Sequence, residues 1–153
     1  YLSPVNSETV ILLDKIFSDL TDGHPSASES FEFKGRKIFI PQACDGVARF
    51  GFDDLCRKPL AAADFLAIAE RYRSIIISDV PVFEDDQRDI ARRFMVLVDT
   101  LYDTKTHVII SASAQPTELY SGYDWRFEFD RTVSRLMEMQ SVEYIQEARG
   151  SDR

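Results

Sequence analysis

The sequence predicts an α/β fold: a mostly parallel β-sheet flanked by helices, with an N-terminal β-hairpin on one edge. Two short runs, Ile75-Ile76-Ile77 and Val108-Ile109-Ile110, are continuous and β-branched. Runs that short and apolar suit strands covered on both faces. Between them Ile90, Phe94, Leu97, Val98 and Leu101 recur at helical spacing and make one apolar stripe. Glu84, Asp85 and Asp86 stand where a helix start favours acid, and Lys105 follows its end. Ser74 to Ala114 is therefore a strand-helix-strand crossover, expected to be right-handed. A second unit of the same kind, 47–78, feeds the first.

The elements follow in order. Val10, Leu13, Phe17 and Leu20 repeat at three and four, so the first helix runs to about Leu20. Ser7 caps it alone, because Val10 lacks the acid of a capping box, and Gly23 with Pro25 ends it. His24 to Ser30 is a polar loop. Phe31-Glu32-Phe33 and Lys37-Ile38-Phe39-Ile40 form a hairpin about Gly35. Pro41 to Gly46 reads as a loop, Val47 to Phe52 as a third strand, and Asp53-Asp54 as a turn. A helix occupies 60–73, its stripe made by Leu60, Ala63, Leu66 or Ala67, Phe65 and Ile68. After the crossover, Pro116 starts a short helix through Tyr120. Arg126 to Phe129 fits a strand or the start of a helix. Asp130 to Arg149 reads as one helix with Val133, Leu136, Met137 and Met139 in its apolar turns. No linker or solenoid repeat divides the chain, so 1–153 is expected to be one α/β domain.

Composition narrows the classes. The 153 residues suffice for one domain with a real core, and 44% hydrophobic with 29% charged is ordinary for a globular protein. The formal charge of −8, from 26 acids against 18 bases, disfavours a broad nucleic-acid binder. No apolar run approaches the roughly 20 residues that span a bilayer, and the first residues lack the pattern of a secretory signal. Residue 1 is Tyr rather than Met, which suggests a piece of a longer protein. Cys44 and Cys56, the only cysteines, read as reduced structural thiols.

Few residues offer chemistry. Ligands of open α/β sheets bind beyond the carboxyl ends of the strands, which places Asp79, Ser111 and Ser113 as weak cofactor-binding candidates. A strand-ending Asp is equally a turn or capping residue. A phosphate loop needs glycine-freed amides and a Lys. Gly46 and Gly51 are five apart, but the Lys and the Ser/Thr are absent and 47–52 looks like strand. Val80 follows Asp79 where a catalytic carboxylate would stand. His24 and His107 assemble neither a metal site nor a triad. Arg92-Arg93 lies at the apolar edge of its helix, and Arg131 and Arg135 are one turn apart on theirs. These four arginines can reach a phosphate of a neighbouring subunit, or else pair with acids such as Asp99, Glu128 or Glu138. Tyr120, Tyr123, Trp125, Phe127 and Phe129 suggest core or a protein-contact patch.

Several ordered blocks resemble the ZapE family of AAA+ ATPases, which includes the mitochondrial AFG-like relatives. Val47-Ala48-Arg49-Phe50-Gly51-Phe52-Asp53-Asp54-Leu55-Cys56 resembles its ARF-F-DLC segment, and Ala62-Ala63-Asp64-Phe65-Leu66 its A-A-DYL element. Asp79-Val80-Pro81, Arg92-Arg93-Phe94 with Val98 to Tyr102, and Arg131 to Met139 match further blocks in order. Tyr1 to Pro4, Leu20 to Gly23 and Gly35-Arg36 fit the start of the same region, so the likeness covers nearly the whole chain. The resemblance implies the C-terminal region of such an ATPase, layered like the P-loop ATPases, whose phosphate loop and metal-and-base carboxylates lie upstream. Ser74 to Tyr120 then looks like a worn second copy of the strand-helix-strand unit, with Gln115 to Tyr120 resembling the PP-ELY run after the upstream sensor strand.

On that resemblance ATP and Mg belong to the full-length parent, and no cofactor is expected for this chain alone. No catalytic set is complete here; Arg92, Arg93, Arg131 and Arg135 are the candidates, and no metal site is expected. The implied partners are the N-terminal ATPase part of the same chain, further copies in a homo-oligomer and other proteins. The implied setting is the cytoplasm, or the mitochondrial matrix in a eukaryote, with a cell-division or protein-quality-control role. Two other functions stay open: a non-catalytic interaction module on an α/β scaffold, and a small enzyme using Asp79 and the serines.

Overall fold

A computed structural model describes residues 1–150. One five-stranded sheet runs β1 (Ala27–Phe33), β2 (Arg36–Cys44), β3 (Val47–Gly51), β4 (Ser74–Val80), β5 (His107–Ala112) in spatial as in chain order. β1, β2 and β3 pair antiparallel; β3, β4 and β5 pair parallel. The expected parallel core with a hairpin edge is therefore the fold. α1 (Ser7–Leu20) precedes the sheet. α2 (Phe52–Cys56) and α3 (Ala62–Arg71) connect β3 to β4, and α4 (Arg88–Asp103) connects β4 to β5. α5 (Arg126–Glu138) and α6 (Val142–Arg149) close the chain.

Alternation along the central strands sends side chains to two unequal layers. Ala48, Phe50, Ile75, Ile77 and Ile110 join the large core under α2 to α6. Val47, Ile76 and Ile109 join a smaller one with Leu13 and Phe17 of α1. Within the large core, Phe83 lies at ring-centroid distances of 5.4 to 6.0 Å from Phe52, Phe94 and Phe129. Tilted aromatic pairs of this kind add about 0.5–1.5 kcal/mol each beyond their burial.

Several boundaries differ from the sequence expectation. Asn6, not Ser7, caps α1: Asn6 Oδ1 accepts from the Thr9 N–H at 3.0 Å and Thr9 Oγ1 accepts from the Asn6 N–H at 2.9 Å. The reciprocal box uses a hydroxyl where an acid was looked for. β2 continues through Pro41 to Cys44, because the chain turns only at Asp45 (φ 50) and Gly46 (φ 79). That is the Asp-Gly tight-turn signature. The Asp53-Asp54 turn is helix α2, and α3 is shorter than 60–73. Pro116 starts only a single 3-10 turn, Pro116–Glu118. The last helix is two: α5 ends at Glu138, and Ser141 caps α6 by accepting from the Tyr144 N–H at 3.1 Å. Met137 is accordingly 55% exposed rather than in an apolar turn.

The loops after β4 and β5 zip together. Phe83 donates its N–H to Leu119 O, and Ser121 returns one to Phe83 O. That pairing sets the start of α5 beside the start of α4, the two helices that carry the candidate arginines.

Candidate functional site

At the carboxyl end of the sheet, β4 finishes in an irregularity between Ile77 and Val80, with Asp79 at φ 64. Asp tolerates this left-handed conformation better than most residues. The Asp79 N–H donates to Ser111 Oγ at 3.0 Å, and Ser111 is buried. Ser113 is exposed, and its N–H goes to Val80 O at 2.8 Å. Val80 itself is fully buried in the core. Beyond β5 the chain's own first residues fill the edge. Leu2 donates its N–H to Ile110 O at 2.8 Å and accepts from Ala112 at 2.9 Å. The Tyr1 hydroxyl donates to Ala114 O at 2.6 Å.

These residues do not fit Mg-ATP. A phosphate cradle needs free backbone N–H groups and a cation. Here Val47 to Arg49 pair with β2, Val47 to Gly51 pair with β4, and the Gly51 N–H is bonded to Asp54 Oδ2 at 2.8 Å. Gly46 packs against Arg73, where an added Cβ would lie 2.3 Å from the guanidinium. A carboxylate occupies the one amide at a strand-to-helix junction that a phosphate would use.

The arginines behave differently. Arg92 and Arg93 project from α4, and Arg131 and Arg135 from α5, the helix packed beside it. Two cavities flank α4 and share Arg92 and Val96. One, of about 370 Å³, is lined by Leu60, Ala61, Ala62, Phe65, Asp89 and Arg93 besides. The other, of about 380 Å³, adds Trp125, Phe127, Asp99 and Arg131. Arg92 stands 5.4 Å from the Trp125 ring. Arg93 donates to Cys56 O at 2.7 Å, which ties α4 to α2. Arg131 is 66% exposed and only 4.0 Å from Asp99. Arg135 is 18% exposed, sits 2.9 Å from the same Asp99 and lies 4.3 Å over Tyr102. Glu138 bonds the Tyr102 hydroxyl instead of an arginine. Arg92 and Arg131 thus stay exposed, one over the Trp125 ring and one in a long 4.0 Å pair with Asp99; Arg93 is half committed, and Arg135 is part of the packing.

The aromatic group splits the same way. Phe129 and Tyr120 stack at 5.3 Å against the core, while Tyr123 and Phe127 are 75% and 84% exposed. The segment that carries them is pinned. The Tyr123 N–H donates to Asp85 Oδ1 at 2.7 Å, the Trp125 N–H to the Tyr120 hydroxyl at 2.9 Å, and Arg88 pairs with Asp124 at 2.5 Å. The Trp125 indole N–H is buried with no acceptor among the described residues. Sequence reasoning located these arginines but missed the pinned segment, whose partners lie about 36 to 38 residues apart.

The model of the AFG1-like ATPase family matches residues 1–148. The chain belongs to that family. The Escherichia coli K12 cell division protein ZapE is 32% identical over 145 residues, covering 95% of this chain and 39% of ZapE. An uncharacterised protein of Schizosaccharomyces pombe is 33% identical over 175 residues, covering 95% and 38%. Lactation elevated protein 1 homolog B of Danio rerio is 31% identical over 143 residues, covering 72% and 28%. The chain therefore spans about two fifths of the AFG1-like relatives ZapE and its yeast counterpart. No solved structure matches it. Among the described residues no helix is long and apolar enough to cross a membrane.

Proposed function

We propose that this chain acts as the C-terminal region of an AFG1-like AAA+ ATPase. ATP and Mg are bound and hydrolysed by the longer protein, and this region supplies contacts to the upstream ATPase part, to neighbouring copies or to protein partners. The observation that carries the reading is the α4–α5 face. It joins the exposed guanidinium groups of Arg92 and Arg131 to exposed Phe127 and a buried indole N–H that has no acceptor among the described residues. Arginine forks suit phosphate oxygens and carboxylates, and aromatic residues with arginine are the usual anchors of protein contacts. By analogy with ZapE the role belongs to cell division in the cytoplasm; in a eukaryote the analogy points to protein quality control in the mitochondrial matrix. The alternative, an interaction module with no part in turnover, uses the same face.

The two separate in a protein of the relatives' length that contains this chain. Arg92→Ala and Arg131→Ala are expected to lower ATP turnover substantially, since a trans-acting arginine is worth up to about 10³-fold or more. Each should leave the melting temperature nearly unchanged, because neither side chain is buried. Parental turnover in both variants would move the reading to the interaction module.

A further inference from the structure

The second feature lies at the opposite end of the sheet and is independent of the ATPase reading. His24, in the α1–β1 loop, and Cys44 and Asp45, at the β2–β3 turn, bring an imidazole nitrogen, a sulfur and a carboxylate oxygen within 4.8 Å of one another. His24 Nδ1 and Asp45 Oδ2 are already 2.5 Å apart. An exposed pair like that is an ordinary surface contact of small energy. The half-buried Cys44 thiol, at the strand end, also hydrogen-bonds Asp45, so the three donors meet at one carboxylate.

The turn is held in place without any ion. Asp45 and Gly46 take φ 50 and 79, the Arg73 guanidinium donates to Asp45 O, and no Cβ fits at Gly46 against Arg73. Two of the three donors therefore sit on a fixed tip, and the third comes from a loop anchored by the end of α1. We propose that His24, Cys44 and Asp45 form a site for a divalent transition metal, Zn(II) being the best match, which clasps the α1–β1 loop to the β2–β3 turn.

The donor set selects the ion. Imidazole and thiolate suit Zn(II) and neighbouring transition metals, whereas Mg(II) and Ca(II) want oxygen alone. Tetrahedral bonds of about 2.0–2.3 Å place ligand atoms about 3.5 Å apart. Against that spacing the 4.8 Å spread of the three donors must close by roughly 1.3 Å while the 2.5 Å His24–Asp45 contact must open by about 1 Å, and His24 and Asp45, at 60% and 52% exposed, are free to turn. Binding replaces the proton shared between His24 and Asp45 and removes the thiol proton of Cys44; both protons go to solvent. The negative charges of Asp22 and Glu29 reach His24 and Cys44 and offset the nearby Arg73. Three protein ligands leave a fourth position for water.

The test titrates the untagged, fully reduced chain with ZnCl₂ by calorimetry and with CoCl₂ by absorption. One equivalent of Zn(II) is expected, with a thiolate-to-cobalt charge-transfer band. Loss of an outer partner of a metal ligand already weakens binding 10–100-fold, so loss of a ligand should weaken it by more than about tenfold. His24→Ala, Asp45→Asn, Cys44→Ser and Cys44→Ala should each do so, and both Cys44 variants should lose the cobalt band. The metal-free melting temperatures should stay close to the parent's, since His24 and Asp45 are exposed and Cys44 is only half-buried. No Zn(II) uptake, parental affinity in the Cys44 variants, or weakening only in variants that also melt earlier would each overturn the site.

Discussion

At the scale of single residues, partial burial separates the ionisable groups held in the packing from those left at the surface. Arg135 and Arg131 are one turn apart and equal in sequence, yet Asp99 and Tyr102 hold the first and leave the second mostly in water. Arg135→Ala should lower stability by about 1 kcal/mol through the lost ion pair and ring contact, read as a drop in melting temperature that Arg131→Ala does not show. Asp99 was among the acids the sequence offered as partners. Nothing in the sequence could rank the two arginines, because their exposure depends on where α5 rests on α4. His107 makes a second residue-scale case. Burial, then the charge of Arg149, pushes its pKa down to about 4, and its Nδ1 lies 2.9 Å from Ser74 Oγ. The unfolded chain, with the ordinary value near 6.5, takes up the proton first as pH falls. Stability from this group is therefore complete above about pH 6.5 and lost as pH falls toward 4. The loss is on the order of 1–2 kcal/mol once partial exposure is discounted. Denaturant melts of the parent and His107→Gln across that window should converge at low pH; parallel curves would contradict the assignment.

At the scale of elements, the crossover was legible because its strands are buried on both faces and its helix has one apolar stripe. Each of those patterns is local. Ile76 and Ile109, read as core from their β-branched runs, are 0% and 8% exposed, facing α1. The tie between the hairpin and α3 was not legible. Asp64 is fully buried, accepts from the Ala61 N–H at 2.8 Å, and receives Arg36 Nη2 on both oxygens at 2.5 and 2.7 Å. The partners are 28 residues apart, so no periodicity marks them. Asp64 looks like a helix-start acid until the fold closes over it. Removing one partner of a buried pair leaves the other charge uncompensated and costs about 3–5 kcal/mol. Arg36 is 49% exposed, so solvent screens its half of the pair and Arg36→Ala should lose less, about 1–3 kcal/mol in equilibrium unfolding, whereas exposed Arg57→Ala, from the i,i+4 pair with Asp53, should lose under about 0.5 kcal/mol. Equal effects of the two would show that Arg36 is not holding the hairpin to α3. The break between α5 and α6 was missed for a related reason: an apolar stripe does not record a serine that restarts the helix.

At the scale of the whole molecule, the proposed function assigns nucleotide chemistry to a longer protein that contains this chain. Leu2 pairs along the edge of β5, the Asp79 N–H is bonded to Ser111 Oγ, and the Gly51 N–H is bonded to Asp54. Arg92, Arg131 and Phe127 line a cavity of about 380 Å³ between α4 and α5. The direct measurement is calorimetric titration of the 153-residue chain with Mg-ATP, beside the same titration of a relative-length protein that contains it. The account predicts saturable binding by the longer protein and no micromolar binding by this chain. Micromolar binding of Mg-ATP by this chain alone would contradict it.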